Sequence, residues 1–268
     1  MKVILKHTLR FTLGGSPARA VQHLLLSPAN TPQQRVEGWS IDVPGIADAA
    51  VFRDGFGNRA HLVSHLRPEG EIVVVAGGTV VTLDKAGVLG RLEYDHPPGI
   101  FRRTTALTRA DADATAGINE TDGRIALLHE LMERVHEWSE AASAGVSQSQ
   151  DTRAGQTQSS GSTATSETAP EARVHRFIAA ARSLGIPSRY VVGYLLEDAS
   201  ARLHAWAEAW DEGLGWIGFD PGLNLCPTDS HIRIAAGLDA TGTAPIRSVP
   251  TPDEPIESTV ELSVLDAA

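Results

Sequence analysis

The chain has only one cysteine, Cys226, among its 268 residues, so no disulfide can form within it. A chain without disulfides fits a reducing compartment. Long apolar runs are also missing, and no stretch reaches the roughly 20 apolar residues that a membrane-spanning helix needs. The first segment, MKVILKHTLRFTL, is interrupted by His, Thr and Arg and makes a poor signal peptide. We therefore expect a cytoplasmic location and no membrane partner.

Clustered positive charge is absent as well. The formal net charge is -10 and the pI is about 5.4, whereas nucleic-acid binding requires a basic face that follows the phosphates. We expect no nucleic-acid partner, and we attribute the acidity to solubility. With 42% hydrophobic residues, the chain can bury the core of one large domain or of two smaller ones.

Short strand-like segments fill the first hundred residues. They are rich in β-branched and apolar residues and are separated by Gly, Pro and Asn, as in an antiparallel sandwich or barrel. The segments are KVILKHTLRFTL, AVQHLLLSP, RVEGWSIDVPG, AVFRDGFGNRAHLVSHL and GEIVVVAGGTVVTL. Within the fourth, DGFGN at 54–58 is a turn signal. We predict a β-sandwich at 1–95 that ends in a connector from Tyr94, because Pro97 and Pro98 can continue neither a helix nor a central strand.

An amphipathic helix is predicted between Asp122 and about Ser143. Its apolar residues recur at steps of three and four positions: Ile125, Leu128, Leu131, Met132, Val135 and Trp138. The segment that follows, at about 144–170, consists mainly of Ser, Thr and Gln. So few apolar side chains cannot offset the entropy lost on ordering, and we predict a disordered polar loop there.

A second helix and three strands follow. The helix runs from about Pro170 to Leu184, where Gly185 and Pro187 end it. The strands are SRYVVGYLL, LHAWAEAW and GWIGFDP. Alternation gives the middle strand two faces. The face suited to packing beneath a helix carries mainly small residues: Leu203, Ala205, Ala207 and Ala209. The other face carries larger residues: His204, Trp206, Glu208 and Trp210. Helices followed by an antiparallel sheet predict an α+β domain at 96–268.

Three segments of this half resemble the core of the bacterial transglutaminase-like proteins, which are relatives of the papain-type cysteine proteases. They are FIAAARSLGIPSRYVVGYL at 177–195, HAWAEAW at 204–210 and GWIGFDPGLNLCPTDSHIRIAAGLDATGTAPIRSV at 215–249. KHTLRFTL and DGFGN resemble the domain that precedes that core in the same proteins. The resemblance implies an N-terminal β-sandwich followed by an α+β, transglutaminase/papain-like core.

The resemblance also implies site residues. The family pattern runs from G-V-C-Q-D-x-A-H at a helix start, through H-A-W on a strand, to an Asp at the end of the next strand. It places the catalytic His at His204 and the Asp at Asp220. In this chemistry the helix N-terminus and the imidazole favour the thiolate, the His acts as general base, and the Asp orients the ring.

The nucleophile of this pattern is missing. One alignment matches AGVSQSQ at 144–150 and puts Ser147 at the cysteine position, but it needs a long insertion before His175. The other counts back from His175 without gaps and reaches Pro170. Both alignments stay open at this stage. Cys226 lies downstream of the Asp, and we interpret it as a partly buried structural residue.

No metal site and no cofactor are predicted. The ten histidines are scattered along the chain. His61 and His65 share one face of a predicted strand but lie too far apart along it to share a metal easily. His129 and His136 are separated by two helical turns, which is also too far.

Two functions are compatible with these observations. The first is a transglutaminase-like protein that has lost the Cys nucleophile and binds a peptide or protein in its groove without catalysis. The alternative is an active amide hydrolase or acyltransferase with Ser147 as nucleophile, His204 as base and Asp220 as the orienting group. A serine hydroxyl is a weaker nucleophile than a thiolate and needs a strong base and an oxyanion hole, so we favour the first.

Overall fold

The computed structural model describes residues 1–15, 17–109, 115, 123–150, 170–198 and 200–265. Strands predominate. They are β1 Lys2–Thr12, β2 Arg19–Ser27, β3 Gln34–Asp42, β4 Ala50–Arg53, β5 Arg59–Leu66, β6 Glu71–Thr82, β7 Val88–Gly90, β8 Ser188–Glu197, β9 Ser200–Asp211, β10 Gly215–Phe219, β11 His231–Gly237, β12 Ile246–Val249 and β13 Glu257–Leu265. The helices are α1 Arg124–Gln150, α2 Pro170–Ser183 and α3 Ala240–Thr243, with 3-10 turns at Ile46–Asp48 and Pro98–Arg102.

Two four-stranded antiparallel sheets are built mainly from the first third of the chain. Their strand orders are β13-β1-β6-β3 and β12-β2-β5-β4. Alternation of buried and exposed side chains turns one face of each sheet inward. The inward residues share one core, whose larger members include Leu9, Phe11, Leu24, Leu26, Val63, Ile72 and Val74. The two sheets therefore pack on each other, and the strands predicted for this region are present.

Strands from the C-terminal end complete these two sheets. β12 pairs with β2, and β13 pairs with β1 so that Lys2 lies opposite Leu265. β7, which falls within the predicted first domain, pairs instead with β10. The sheets thus cross the predicted boundary at residue 95, because alternation marks a strand without identifying its neighbour. The division into two domains stays a prediction.

Two helices cover one face of a third sheet, whose strand order is β11-β8-β9-β10-β7. Leu128 and Leu131 of α1 and Phe177 of α2 lie in one buried cluster with Ala207 and Ala209 of β9. The small face of β9 packs beneath helices, as alternation predicted. Helices on one face of an antiparallel sheet agree with an α+β class. None of the helices in the described ranges combines the length and the apolar content required to span a bilayer.

The first long helix is longer than predicted. α1 continues to Gln150, so residues 144–150 are helical and the prediction of a polar loop is wrong for them. Ala and Gln are good helix formers, and extending a helix costs much less than starting one, so low apolar content alone does not end it. The rest of the predicted loop, 151–169, lies outside the described residues. α2 begins at Pro170, as predicted.

Two amide side chains join the first sheets to β11. The Gln34 side chain donates to the Arg233 carbonyl (2.8 Å) and accepts from the Arg233 N–H (2.7 Å). The Asn58 side chain makes the same pair of bonds with Ala236, at 2.7 and 2.9 Å. A register shift between Arg233 and Ala235 explains why two residues three positions apart both direct their backbone groups away from β8. These backbone groups are therefore satisfied within the chain.

Candidate active site

The structure brings two of the predicted site residues together. His204 lies on β9, and Asp220 directly follows the neighbouring strand β10. His204 Nε2 lies 2.5 Å from Asp220 Oδ2, which is a hydrogen-bond distance. Both side chains are buried. This is the geometry of an imidazole oriented by a carboxylate, and the catalytic role of the pair stays a prediction.

Both carboxylate oxygens of Asp220 have partners. Oδ1 accepts the backbone N–H groups of Gly222 (2.9 Å) and Leu223 (3.2 Å). Oδ2 accepts from His204 and from His231, the latter at 3.3 Å. Burial alone would raise the pKa of Asp220, but the hydrogen bonds and charges of the two histidines outweigh it and lower this pKa from 3.8 to about 2. Asp220 is therefore ionised at neutral pH.

His231 is a site residue that the sequence reasoning missed. It begins β11, and its Nδ1 accepts the backbone N–H of Thr228 at 3.2 Å. Its Nε2 therefore carries the hydrogen that is donated to Asp220. The ring also packs edge-on against Trp206, with centroids 5.3 Å apart. A signal was available, because His231 belongs to the segment that resembles the family and follows Asp220 closely.

Arg202 occupies the second ring nitrogen of His204. Arg202 Nη1 lies 3.2 Å from His204 Nδ1. A guanidinium has only donors, so Nδ1 must be the accepting nitrogen, and Nε2 must carry the hydrogen donated to Asp220. Nδ1 is the nitrogen that would take a proton from a nucleophile, because Nε2 already faces the carboxylate. Strand alternation puts residues 202 and 204 on one face, so Arg202 could have been found from the sequence.

The start of α2 lies beside this pair. Arg173, in its first turn, donates to the Gly222 carbonyl (3.2 Å) and to the Glu140 carboxylate of α1 (3.2 Å). Gly222 lies against His204, since a Cβ there would come within 3.7 Å of His204 Cε1. Pro170 is the first residue of α2. Pro170 thus begins the helix whose first turn contacts Gly222, and its assignment to the nucleophile position stays a prediction.

Ser147 lies in a different part of the helical layer. His136 of α1 donates from Nδ1 to the Pro221 carbonyl at 3.1 Å, so α1 passes the site near His136. Ser147 is roughly 16 Å further along α1, at about 1.5 Å per residue. It lies towards the C-terminal end of that helix, whereas the family pattern has its nucleophile at a helix start. The catalytic role predicted for Ser147 stays a prediction.

Cys226 contacts a different histidine. Its Sγ lies 3.5 Å from His129 Nε2 on α1. His129 Nδ1 donates to the Ile125 carbonyl at 2.9 Å, so Nε2 is the accepting nitrogen and Cys226 the S–H donor. Burial raises the pKa of the Cys226 thiol above its ordinary value. This cysteine is therefore a thiol at neutral pH, as expected of a structural residue.

His204, Asp220 and His231 also form a group of three side chains of metal-binding type, which the sequence did not predict. Their hydrogen bonds do not fit a metal, because the Nε2 atoms of both histidines carry the hydrogens donated to Asp220. The 2.5 Å between His204 Nε2 and Asp220 Oδ2 is also shorter than the roughly 3.3 Å between two tetrahedral zinc ligands. We derive no metal chemistry from this group.

A buried ion network supports the site from the same sheet. Glu208 of β9 accepts from Arg189 Nε of β8 (2.5 Å) and from Arg233 Nε of β11 (2.8 Å). Arg189 also donates to Asp95 at 2.9 Å, and its guanidinium lies 3.8 Å from the centre of the Trp216 ring. The network ties three neighbouring strands of the sheet together beside His204. Sequence reasoning placed Glu208 on the correct face but did not predict its partners.

A His and an Asp on neighbouring strands of a helix-covered antiparallel sheet define the class of transglutaminase-like and cysteine-protease-like folds. Two family models agree. The transglutaminase-like superfamily model matches residues 126–221, and the model of the bacterial transglutaminase-like N-terminal region matches residues 3–81. Residues 126–221 thus match a transglutaminase-like core, and residues 3–81 match the N-terminal region of bacterial transglutaminase-like proteins.

Individual proteins show the same likeness. An uncharacterized protein of Mycobacterium leprae is 36% identical over 83 residues, which are 28% of this chain and 29% of that protein. The crystal structure of a presumed cysteine protease from Cytophaga hutchinsonii superimposes with a TM-score of 0.70 at 19% identity, covering 100% of this chain and 92% of that one. The periplasmic domain of TgpA from Pseudomonas aeruginosa has a TM-score of 0.33 at 16% identity, covering 82% of this chain and 90% of that one. The match with the Mycobacterium leprae protein spans less than a third of its length, and the Cytophaga structure shows a shared fold.

Proposed function

We propose that this chain is a transglutaminase-like protein without thiol catalysis, and that it acts by binding a peptide or protein partner near His204. One observation carries the catalytic half of this proposal. Arg202 donates to His204 Nδ1, the nitrogen that a general base would need. A proton on Nδ1 would set two donors against each other, so His204 cannot accept a proton there unless Arg202 moves away.

The position of the helix start supports the same reading. Pro170, the first residue of α2, has neither a hydroxyl nor a thiol to offer. The one cysteine of the chain, Cys226, donates to His129 and is protonated at neutral pH. Among the residues that the structure describes, neither Pro170 nor Cys226 offers the His–Asp pair a nucleophile.

The serine alternative has less support. Ser147 would need to reach His204 from roughly 16 Å further along α1 than the contact of His136 with the site. A serine also needs a preorganised base and oxyanion hole, and Arg202 occupies that base. We therefore assign Ser147 no catalytic role.

The binding half of the proposal relies on how the sheets of the chain are arranged. We infer that the two packed N-terminal sheets form the β-sandwich of the bacterial family type, since their inward faces share one core. The sheet that carries His204 and Asp220 keeps its helical cover on the opposite face from the Arg202 side chain. A surface that is no longer used for chemistry can still bind the extended peptide that such a site accommodates.

Activity measurements test the catalytic half. Release of ammonia from a short glutamine-containing peptide, and incorporation of a fluorescent primary amine into it, are measured for the native chain and for Ser147→Ala, Cys226→Ser and His204→Ala. We expect all four proteins to give the same background rate. A native rate that falls about tenfold or more in Ser147→Ala or Cys226→Ser would contradict the proposal.

A gain-of-function variant tests the assignment of Pro170. Pro170→Cys combined with Arg202→Ala, in a Cys226→Ser background, puts a thiol at the helix start and frees His204 Nδ1. We expect iodoacetamide to alkylate this thiol at least about tenfold faster than in the matched protein that also carries His204→Ala. Equal rates in the two proteins would place the nucleophile position elsewhere.

Calorimetric titration of the native chain with the same peptide tests the binding half. Saturable binding without consumption of the peptide is the expected result, weakened by Arg202→Glu. If no peptide of this kind binds, the partner proposal is wrong, whatever the activity assays show.

A further inference from the structure

A cavity of about 640 Å³ lies away from the His–Asp pair, between the first sheets and the segment that leads to the third. It is lined by the loop after β2, by β3, by the turn between β4 and β5, and by residues 92–95. Two aromatic rings, Trp39 and Tyr94, are part of its wall. The Trp39 ring is fixed, because its Nε1 donates to the Leu26 carbonyl at 2.7 Å. A pocket of this size with a few polar groups is suited to a small molecule.

An unsatisfied histidine lies in the wall of this cavity. His61 is 8% exposed, and its Nδ1 is buried without a hydrogen-bond partner among the described residues. Burial lowers the pKa of His61, and the charge of Arg59 adds to the effect, so the ring is neutral at pH 7. A buried polar nitrogen left unpaired costs about 1–3 kcal/mol. His61 Nδ1 has no surface exposed to the cavity, so the His61 ring forms part of the wall without offering this nitrogen to a ligand.

Two arginines lie side by side next to His61. Arg53 of β4 and Arg59 of β5 are directly opposite each other in the antiparallel pair, which puts their Cβ atoms about 5 Å apart on one face. Both line the cavity. Arg53 stacks on the Tyr94 ring, 3.4 Å from its centre, and donates to the Gly57 carbonyl at 3.0 Å. Like charges in this position repel each other, unless an anion lies between them.

Other charges around the cavity are already neutralised. Glu37 pairs with Lys2 and Arg35. Asp95 pairs with Arg189, and Arg233 pairs with Glu208. Within the described ranges, Glu93 is the remaining acidic residue of the wall without an ion pair. The local charge at the two arginines is positive in a chain whose net charge is -10.

We propose that this cavity binds a small aromatic anion, with its phosphate or carboxylate group between Arg53 and Arg59. The planar guanidinium groups suit either anion, since both offer paired oxygens. The ring of the ligand packs against the aromatic part of the wall, which Trp39 and Tyr94 provide. The site is separate from the His204 surface and does not depend on the function proposed above.

Calorimetric titration of the full chain with phenyl phosphate tests this proposal, with benzoate and inorganic phosphate as comparison probes. We expect phenyl phosphate or benzoate to bind with Kd below about 1 mM, and inorganic phosphate alone to bind more weakly because it has no ring. The better of the two aromatic probes identifies the anionic group. Arg59→Gln should weaken binding about tenfold, as expected from the loss of one charge-assisted hydrogen bond.

Two further variants sharpen the test. His61→Phe should leave binding within about twofold of the native value, because it keeps the ring volume of the wall and removes a nitrogen that is not exposed to the cavity. Arg19→Gln is the matched control, since Arg19 is an exposed arginine at the far end of β2 in the same sheet, and it should leave binding unchanged. Urea unfolding of each variant checks that it is folded. No saturable binding of either aromatic probe up to about 10 mM, or equal loss in Arg59→Gln and Arg19→Gln, would overturn the proposal.

Discussion

The His204 site and the Arg53–Arg59 cavity treat their polar groups in opposite ways. At the first, both nitrogens of His204 and both oxygens of Asp220 have partners within the chain. At the second, His61 keeps an unpaired nitrogen and two arginines face each other. A polar group whose hydrogen bonds are all made within the chain has no free donor or acceptor for a ligand, whereas an unsatisfied polar group gains a hydrogen bond or an ion pair when a ligand binds. Of the two sites, the His204 site thus has more of its polar groups satisfied within the chain.

The largest loss of stability is expected at the buried carboxylate of Glu208, which lies in the same sheet as His204. Glu208→Gln would leave Arg189 and Arg233 without their shared carboxylate, and we expect a loss of about 3–5 kcal/mol in the free energy of unfolding. Urea unfolding measures it. The control is Glu197→Gln, which breaks an exposed pair with Arg202 and should cost less than about 1 kcal/mol. Similar losses in both variants would remove the contrast between buried and exposed pairs.

A smaller loss is expected at Asp220. Asp220→Asn removes the charge that His204 and His231 stabilise, and it sets an amide donor either against the N–H of Gly222 or against that of His204, so we expect about 2 kcal/mol of lost stability at pH 7. The pKa of Asp220 is lower in the folded chain than in the unfolded one. Its contribution is therefore complete above about pH 4 and lost as the pH falls towards 2.

Unfolding measured at a series of pH values checks this assignment. The native chain should lose its advantage over Asp220→Asn between about pH 4 and pH 2. A constant difference between the two proteins over that range would show that the carboxylate is not stabilised by its neighbours.

The smallest effect, of opposite sign, is expected in the cavity. Arg59→Gln removes one of two repelling charges, and in the absence of ligand it should stabilise the chain by a few tenths of a kcal/mol. Thermal unfolding of Arg59→Gln and of the control Arg19→Gln measures the difference. A loss of more than about 1 kcal/mol in the free energy of unfolding would show that Arg59 has partners within the protein. The polar groups of the cavity would then resemble those of the His204 site, which are paired within the chain.

Much of this arrangement was predictable from local sequence. The period-two pattern of β9 gave the correct faces for Ala207, Ala209 and Glu208, and Pro170 marked the start of α2. His204 and Asp220 were located through the family resemblance of H-A-W and F-D-P, and their 2.5 Å contact agrees with that placement. Such features depend on residues that are close in sequence or on adjacent strands.

The rest depends on distant parts of the chain. The pairing of β13 with β1 joins opposite ends of the sequence, and no local pattern encodes it. The contact between Arg202 and His204 is an exception, because it is local; alternation shows that the two side chains share a face but not that they form a hydrogen bond. The extent of α1 was missed because a low apolar content was taken to exclude a helix, although Ser and Gln can extend one that is already formed.

The two amide side chains that bind the backbone of β11 have a consequence for association between molecules. β11 is the last strand on its side of the sheet, and a strand edge with free N–H and C=O groups can recruit a strand from another chain. Gln34 and Asn58 already occupy these groups at Arg233 and Ala236. These two side chains therefore hinder edge-to-edge aggregation. Replacing both by Ala would free the N–H and C=O groups of Arg233 and Ala236 to pair with a strand of another molecule.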